Sequence, residues 1–138
     1  MKKMLMLSMA GFFLMPIFAQ VKPPEAVKNA FNGSYPAISP VKWDKDDDEY
    51  EASFVQNGKK MSATYSPSGE LKETETGIRT NELPAAATRY IAQHYKNARL
   101  KTAEKVLKSN GETLYEAEIN KKDIVFDQNG KFIKVEKD

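Results

Sequence analysis

The sequence contains no cysteine and a single histidine in 138 residues. Without cysteine the chain cannot form a disulfide, so a domain of this length has to be stabilised by its hydrophobic core. Zinc sites are built chiefly from cysteine and histidine, and His94 alone does not supply such a ligand set. The same shortage leaves no cysteine–histidine pair for nucleophilic catalysis.

An excess of either charge is also missing once the first residues are set aside. The chain has 21 basic and 19 acidic residues, and Lys2 and Lys3 account for the difference. A protein that binds nucleic acid or an anionic membrane surface normally carries a basic patch or a basic net charge. The balanced composition therefore favours neither kind of partner.

Long apolar runs are absent except at the N terminus. There Lys2 and Lys3 precede an apolar run over residues 4–18, and the small Ala19 follows it, as is typical of a secretory signal peptide. The alternative, a membrane anchor, is less favoured because the run is shorter than the roughly 20 residues of a spanning helix. We predict a signal peptide over residues 1–19, a periplasmic or secreted location, and no stable membrane anchor after cleavage.

The strongest local signal is Asn57-Gly58, a residue pair that favours the two-residue type I′ turn of a β-hairpin. Three apolar or aromatic pairs then oppose one another: Phe54 with Met61, Ala52 with Ala63, and Tyr50 with Tyr65. Because side chains alternate between the two faces of a strand, these pairs share one face. We predict that this face is core beneath a helix; an aromatic contact patch is the alternative.

The helix and hairpin patterns occur twice, which indicates an internal repeat. Two sets of residues match: Pro24, Phe31 and Tyr35 with Pro84, Ile91 and Tyr95, and Tyr50-Glu51-Ala52 with Tyr115-Glu116-Ala117. We predict a single domain over residues 20–138, built from repeats at about 22–77 and 80–138.

Each repeat is predicted to contain one helix followed by four antiparallel strands. The helix stripe and the alternating strands each have one apolar face, and these faces can be buried against each other. The predicted fold class is α+β: a tandem repeat of helix plus four antiparallel strands, forming one continuous antiparallel sheet with both helices on one face. The other face is left open, as antiparallel sheets allow.

The open face is predicted to differ between the repeats. In the second repeat it carries Leu114, Val125, Ile133 and Val135, whereas the corresponding face of the first repeat is polar. An apolar cluster on an open face indicates a contact site for a partner. The alternative is that strand twist or sheet curl buries these side chains locally.

The acidic turn between the first two strands is not a recognisable calcium site. Asp44, Asp46 and Asp48 begin like a calcium loop, but Glu49 and Val55 stand where the loop requires glycine and glutamate. We therefore predict a solvated hairpin turn and no bound metal.

Two carboxylate pairs, Glu73/Glu75 and Glu116/Glu118, are each predicted to lie on one strand face. Acid–base catalysis needs an environment that separates the pKa values of the two groups, and an open face leaves both solvated. We predict no catalytic residue and no cofactor, so the protein is not expected to be an enzyme.

Several short motifs resemble one family when they are taken in order and spacing. They are the helix start Pro24–Phe31, Val41-Lys42-Trp43, Tyr50-Glu51-Ala52 with Phe54, Asn57-Gly58-Lys59, Ser68-Gly69, Glu73-Thr74-Glu75 and Glu82-Leu83-Pro84. Together they resemble the PepSY-like family of β-lactamase-inhibitor-like proteins, over essentially the whole chain after the signal peptide. The resemblance implies a small exported domain of helix-plus-four-strand units with an open sheet face.

The functional hypothesis is an exported, non-enzymatic binding module that contacts a protein or envelope component through the open sheet face. The alternative is an inhibitor of an exported hydrolase, either a protease or a β-lactamase. No inhibitory loop can be matched residue by residue, so the resemblance implies no individual functional residue.

Overall fold

A computed structural model describes residues 20–137; the predicted signal peptide, residues 1–19, lies outside the described residues. The described chain is α+β, with two α-helices and one eight-stranded antiparallel sheet whose strand order follows the sequence. The elements are α1 (Glu25–Ser34), β1 (Lys42–Asp46), β2 (Glu49–Gln56), β3 (Lys59–Tyr65), β4 (Leu71–Ile78), α2 (Ala85–His94), β5 (Leu100–Lys108), β6 (Thr113–Ile119), β7 (Lys122–Asp127) and β8 (Phe132–Lys137).

The described residues divide into two compact units, and Gly77 is the first residue of the second. We call residues 20–76 unit one and residues 77–137 unit two. Unit one contains α1, β1, β2, β3 and most of β4. Unit two contains α2 and β5–β8, preceded by a short 3-10 turn at Thr80–Glu82.

Both α-helices begin directly after a proline, and for α1 this is the helix start that the sequence motif indicates. Pro24 precedes α1 and Pro84 precedes α2, with φ values of −56° and −53°. Proline tolerates this place because the N–H that it lacks would have no partner in the first turn of a helix. Starting the helix there sets which of its residues face the core, namely Val27 and Phe31 in α1.

The predicted register of the β2–β3 hairpin is confirmed for every pair from Gln56–Lys59 to Tyr50–Tyr65. Asn57 and Gly58 both have positive φ, at 52° and 75°. The hairpin's aromatic side chains lie in the core of unit one, where the ring of Phe31 is 5.1 Å from that of Phe54. The prediction that this face is core beneath a helix is therefore confirmed, and the alternative of an aromatic contact patch is wrong.

The core of unit two is built in the same way on its own strands. Ala87 and Ile91 of α2 pack in one cluster with the fully buried Ile124 and Phe126 of β7. Tyr90 adds a stacked contact to Phe132, with ring centroids 4.7 Å apart. One face of β5–β8 is thus occupied by α2.

A glycine turn packs against the start of the helix in each unit. A Cβ atom on Gly69 would lie 2.5 Å from the carbonyl oxygen of Ala26, and one on Gly130 would lie 2.7 Å from the backbone nitrogen of Ala87. Both glycines also have positive φ, 86° and 84°. Only glycine permits this approach, so the turn and the helix start are held together without an intervening side chain.

A β-bulge interrupts the second hairpin of each unit. In unit two Phe126 pairs with Phe132 and Val125 pairs with Lys134, so that Ile133 is the extra residue. Lys72 is the extra residue in unit one by the same reasoning, because Tyr65 pairs with Leu71 and Thr64 pairs with Glu73.

The bulge in β8 corrects one predicted placement. Val135 pairs with Ile124, which belongs to the core beneath α2. Simple alternation along β8 had placed Val135 on the same face as Leu114 and Val125, and this placement is wrong. One extra residue reverses the faces of all residues that follow it, so Lys134 and Glu136 occupy that face instead.

Candidate binding surface on unit two

The face of β5–β8 that points away from α2 is the candidate surface, and we call it the outer face of unit two. Its residues oppose one another in the strand registers and alternate with the core residues. They are Thr102, Glu104 and Val106 on β5, Leu114, Glu116 and Glu118 on β6, Asp123, Val125 and Asp127 on β7, and Lys134 and Glu136 on β8.

An apolar cluster lies at one end of the outer face. Val106, Leu114 and Val125 pack together and are 0%, 4% and 0% exposed. Leu114 and Val125 are two of the four predicted contact residues, and both are buried in this cluster, so the alternative of local burial is confirmed for these two. Val106 was not identified from the sequence, although the cross-strand register of the β5–β6 hairpin places it opposite Leu114.

The other two predicted contact residues lie apart from this cluster, on β8. Ile133 is 46% exposed at the bulge, and Val135 is 41% exposed. The four residues therefore do not form one contiguous apolar patch. Two are buried in the outer face, and two are exposed along β8.

Next to the apolar cluster, the outer face carries buried carboxylates. Glu116, Glu118 and Asp123 are each 4% exposed. The expectation that the carboxylate pairs are solvated is therefore wrong for Glu116 and Glu118, and also for Glu75 of unit one, which is 3% exposed. Alternation places such residues on a face but does not determine how much water reaches them. Glu118 and Asp123 oppose each other directly on β6 and β7.

Glu118 is held by two donors from β5. The hydroxyl of Thr102 donates to Oε2 at 3.0 Å, and the ammonium group of Lys101 lies 3.4 Å from Oε1. Such partners offset the free-energy cost of burying a carboxylate. Both donors are positioned by a second bulge, since Leu100 pairs with Ile119 and Thr102 with Glu118, which leaves Lys101 as the extra residue.

The outer face continues onto β8, the last strand of the sheet. Lys134 and Glu136 form an ion pair along the strand. Lys134 opposes Val125, and Glu136 opposes Asp123. Carboxylates therefore outnumber cations on the outer face, and the face is acidic beside its apolar cluster.

His94, the single histidine, has a local structural role. It is exposed on α2, its ring stacks on Tyr90 with centroids 3.9 Å apart, and its Nδ1 lies 3.0 Å from the Tyr90 carbonyl oxygen. Across residues 20–137, no group of three or more histidine, cysteine, aspartate or glutamate side chains is arranged to hold a metal ion. Neither helix in this range is long and apolar enough to cross a membrane.

The architecture and the sequence together place the chain among small α+β proteins with one antiparallel sheet. The chain matches the model of the family described as "Putative beta-lactamase-inhibitor-like, PepSY-like" over residues 18–72 and 48–134. The protein therefore belongs to the PepSY-like family. No curated protein matches the chain.

Solved structures from Bacteroides species share the fold. A protein of B. eggerthii, described as a putative periplasmic protein, aligns with a TM-score of 0.76 and 21% identity over 84% of this chain and 89% of its own. A DUF2874 family protein of B. uniformis aligns with a TM-score of 0.74 and 20% identity, over 83% and 88% of the two chains. A BLIP-like protein of B. fragilis aligns with a TM-score of 0.64 and 21% identity, over 86% and 88%.

Proposed function

We propose that the protein is an exported, non-enzymatic binding module that contacts a protein or envelope component through its open sheet face. The observation that carries this proposal is the composition of the outer face of unit two, where an apolar cluster adjoins buried carboxylates. Binding surfaces commonly combine an apolar centre with charged groups that orient the partner. The carboxylates favour a partner that presents lysine or arginine.

The location that we propose is the periplasm. The predicted signal peptide over residues 1–19 supports export, and the B. eggerthii protein with the same fold is described as periplasmic. The lack of cysteine is compatible with this compartment because the fold needs no disulfide there.

We further propose that residues 20–138 are one domain of two repeats, at about 22–77 and 80–138, with both helices on the same face of the sheet. Each unit has a proline at the helix start, a glycine turn against that start, and a bulge in its last strand. An arrangement with both helices on one face leaves the opposite face available to a partner.

The four candidate contact residues have different places in the structure and different roles. Leu114 and Val125 form an apolar floor together with Val106, and carboxylates adjoin it. Ile133, at the bulge, and Val135, on the α2 side of β8, are exposed apolar residues along the edge strand. Because this floor is already buried in the chain without a partner, the more exposed side chains around it are the ones that a partner can reach.

Two charge reversals on neighbouring residues of β5 test the proposed face. Glu104 lies on the outer face, and Lys105 lies on the opposite face of the same strand, opposite Tyr115. We expect Glu104→Lys to abolish capture of partners from a periplasmic extract by the immobilised processed chain, and Lys105→Glu to leave capture unchanged. Quantitative mass spectrometry of both variants measures this, once melting curves show that both are folded. Equal capture by the two variants would exclude the outer face as the contact surface.

Inhibition of an exported hydrolase is the second candidate, supported by the family description and by the fold shared with the BLIP-like protein. If the protein is an inhibitor, the processed chain at micromolar concentration slows a periplasmic protease or β-lactamase, and Glu104→Lys relieves the inhibition. No effect on any of these enzymes removes this candidate and leaves the broader binding proposal standing.

A further inference from the structure

Among residues 20–137, strand β8 has a sheet neighbour on one side only. It is the last strand in the sheet order and pairs with β7. Along this edge Ile133, Lys134, Val135 and Lys137 are exposed. Backbone N–H and C=O groups along such an edge can pair with another strand. We propose that β8 pairs with β8 of a second copy of this chain, antiparallel and about a two-fold axis, and that the protein forms a weak symmetric dimer.

The order of charges along β8 selects one register for this pairing. A two-fold axis perpendicular to the sheet keeps each side chain on its own face, so allowed registers differ by steps of two residues. When Val135 opposes Val135 of the second copy, Lys134 opposes Glu136 twice. A shift of one step places Lys134 opposite Lys134 or Glu136 opposite Glu136, and like charges directly opposite are destabilising.

The same register covers exposed apolar surface. Val135 is 41% exposed and would meet its symmetry mate. Ile133, 46% exposed, would oppose Lys137, whose methylene groups can cover an apolar neighbour while the ammonium group stays in water. On β7, Asp123 stands opposite Glu136. The second copy would place Lys134 on the other side of Glu136 and so counter this carboxylate pair.

Lysines and bulges often protect an edge strand from pairing. In β8 the extra residue is Ile133, near the start of the strand, so Lys134–Lys137 keep regular geometry. Lys134 is already in an ion pair with Glu136 on its own strand. A pairing of about five residues per strand is short, and we expect a dimer that forms only at high protein concentration.

The opposite edge of the sheet supplies a matched control. On β1, Lys42-Trp43-Asp44 has the same order of cation, apolar residue and anion, with Lys42 and Asp44 3.4 Å apart. Trp43, however, packs into the core of unit one, with its ring 5.5 Å from that of Phe31. The β1 edge therefore exposes less apolar surface than the β8 edge, so β8 is the edge that we expect to pair with a second copy.

Analytical ultracentrifugation of the processed chain from micromolar to millimolar concentration tests the dimer. We expect the wild-type chain to be monomeric at the lower end and to dimerise at the upper end. Lys134→Glu and Glu136→Lys should each weaken dimerisation by about tenfold or more, because each puts like charges opposite one another twice. The double variant Lys134→Glu/Glu136→Lys restores complementary pairs and should recover dimerisation.

Three outcomes would overturn the proposal. They are a wild-type chain that stays monomeric at every concentration, a double variant that is no better than the single variants, and a Lys42→Glu variant that loses dimerisation. The proposal does not depend on the proposed function. Glu104→Lys, which tests the partner surface, should leave the dimer unchanged, so the two can fail separately.

Discussion

The two units differ on the sheet face away from the helix, while their local framework is the same. In unit one this face is polar apart from the exposed Val55, and Ser62, Thr64 and Glu75 are buried on it. In unit two the face holds Val106, Leu114 and Val125 in a buried apolar cluster. The helix starts, glycine turns and bulges are shared. The framework therefore tolerates either kind of face, and the side chains of this face are the part that can be specialised for binding.

The largest of the predicted effects concerns the shared framework and is expected at Gly130. A Cβ there would lie 2.7 Å from the Ala87 nitrogen and 2.8 Å from the Pro84 Cβ, whereas a Cβ on Gly111 would meet nothing within 4 Å. Since the two φ values are 84° and 86°, the backbone strain of an alanine is the same at both positions. We expect Gly111→Ala to lower the free energy of unfolding by about 1 kcal/mol and Gly130→Ala by about 3 kcal/mol or more. Urea unfolding measures both; equal losses would mean that the turn can move off the helix.

The second largest effect is expected in the apolar cluster of unit two. Leu114 is 4% exposed, and Leu114→Ala should cost about 2–3 kcal/mol of unfolding free energy because it leaves a cavity. Val55, on the outer side of unit one, is 58% exposed, and Val55→Ala should change stability by less than about 0.5 kcal/mol. Chemical denaturation compares the two variants. A small cost at Leu114 would show that the cluster contributes little to the fold of unit two.

The anchoring of carboxylates should also differ between the units. Thr102→Val removes the hydroxyl that donates to Glu118 at 3.0 Å, and we expect a loss of about 1–2 kcal/mol, since Glu118 is buried. Ser53→Ala removes a longer bond of 3.3 Å to the half-buried Glu51, and we expect about 0.5 kcal/mol. Denaturant midpoints of the two variants measure both losses of stability. A larger loss for Ser53→Ala than for Thr102→Val would contradict the stronger anchoring of Glu118 in unit two.

The smallest effect is expected where unit one has Tyr65 and unit two has Phe126. Both rings are buried, but the Tyr65 hydroxyl is buried without a hydrogen-bond partner among the described residues. Removing an unsatisfied buried hydroxyl relieves its desolvation cost, so Tyr65→Phe should be neutral or stabilise by up to about 1 kcal/mol. Thermal melting measures this change in stability. A loss of stability larger than this amount would show that the Tyr65 hydroxyl has a hydrogen-bond partner.

The same substitution should change the response of the protein to alkali. Burial, and secondarily the nearby Tyr35, raise the pKa of Tyr65 from 10.0 to about 12. Because the pKa of Tyr65 is higher in the folded than in the unfolded state, the fold favours the neutral phenol. The stability that this preference contributes is fully present below pH 10 and is lost as pH rises from 10 through 12. The free energy of unfolding should fall less steeply over this range in Tyr65→Phe than in the wild-type chain. Parallel curves would contradict the raised pKa.

Elements that depend on neighbours in the chain could be predicted from the sequence. Asn57-Gly58 determines the hairpin register because few residues accept two successive positive φ values, and one turn then places every pair of β2 and β3. Pro24 and Pro84 mark the helix starts for an equally local reason. The family membership follows from the order of such local signals.

The candidate surface depended on tertiary structure in two respects. The bulge at Ile133 moves Val135 to the core side of the sheet, and alternation in the sequence does not reveal an extra residue. The burial of Glu116, Glu118 and Asp123 is likewise set by what surrounds them in three dimensions. The sequence alone therefore determined the helices, the Asn57-Gly58 turn, the register of the β2–β3 hairpin and the family. Only the folded chain decided which apolar and acidic side chains meet on the outer face, because burial and strand register across bulges are properties of non-local contacts.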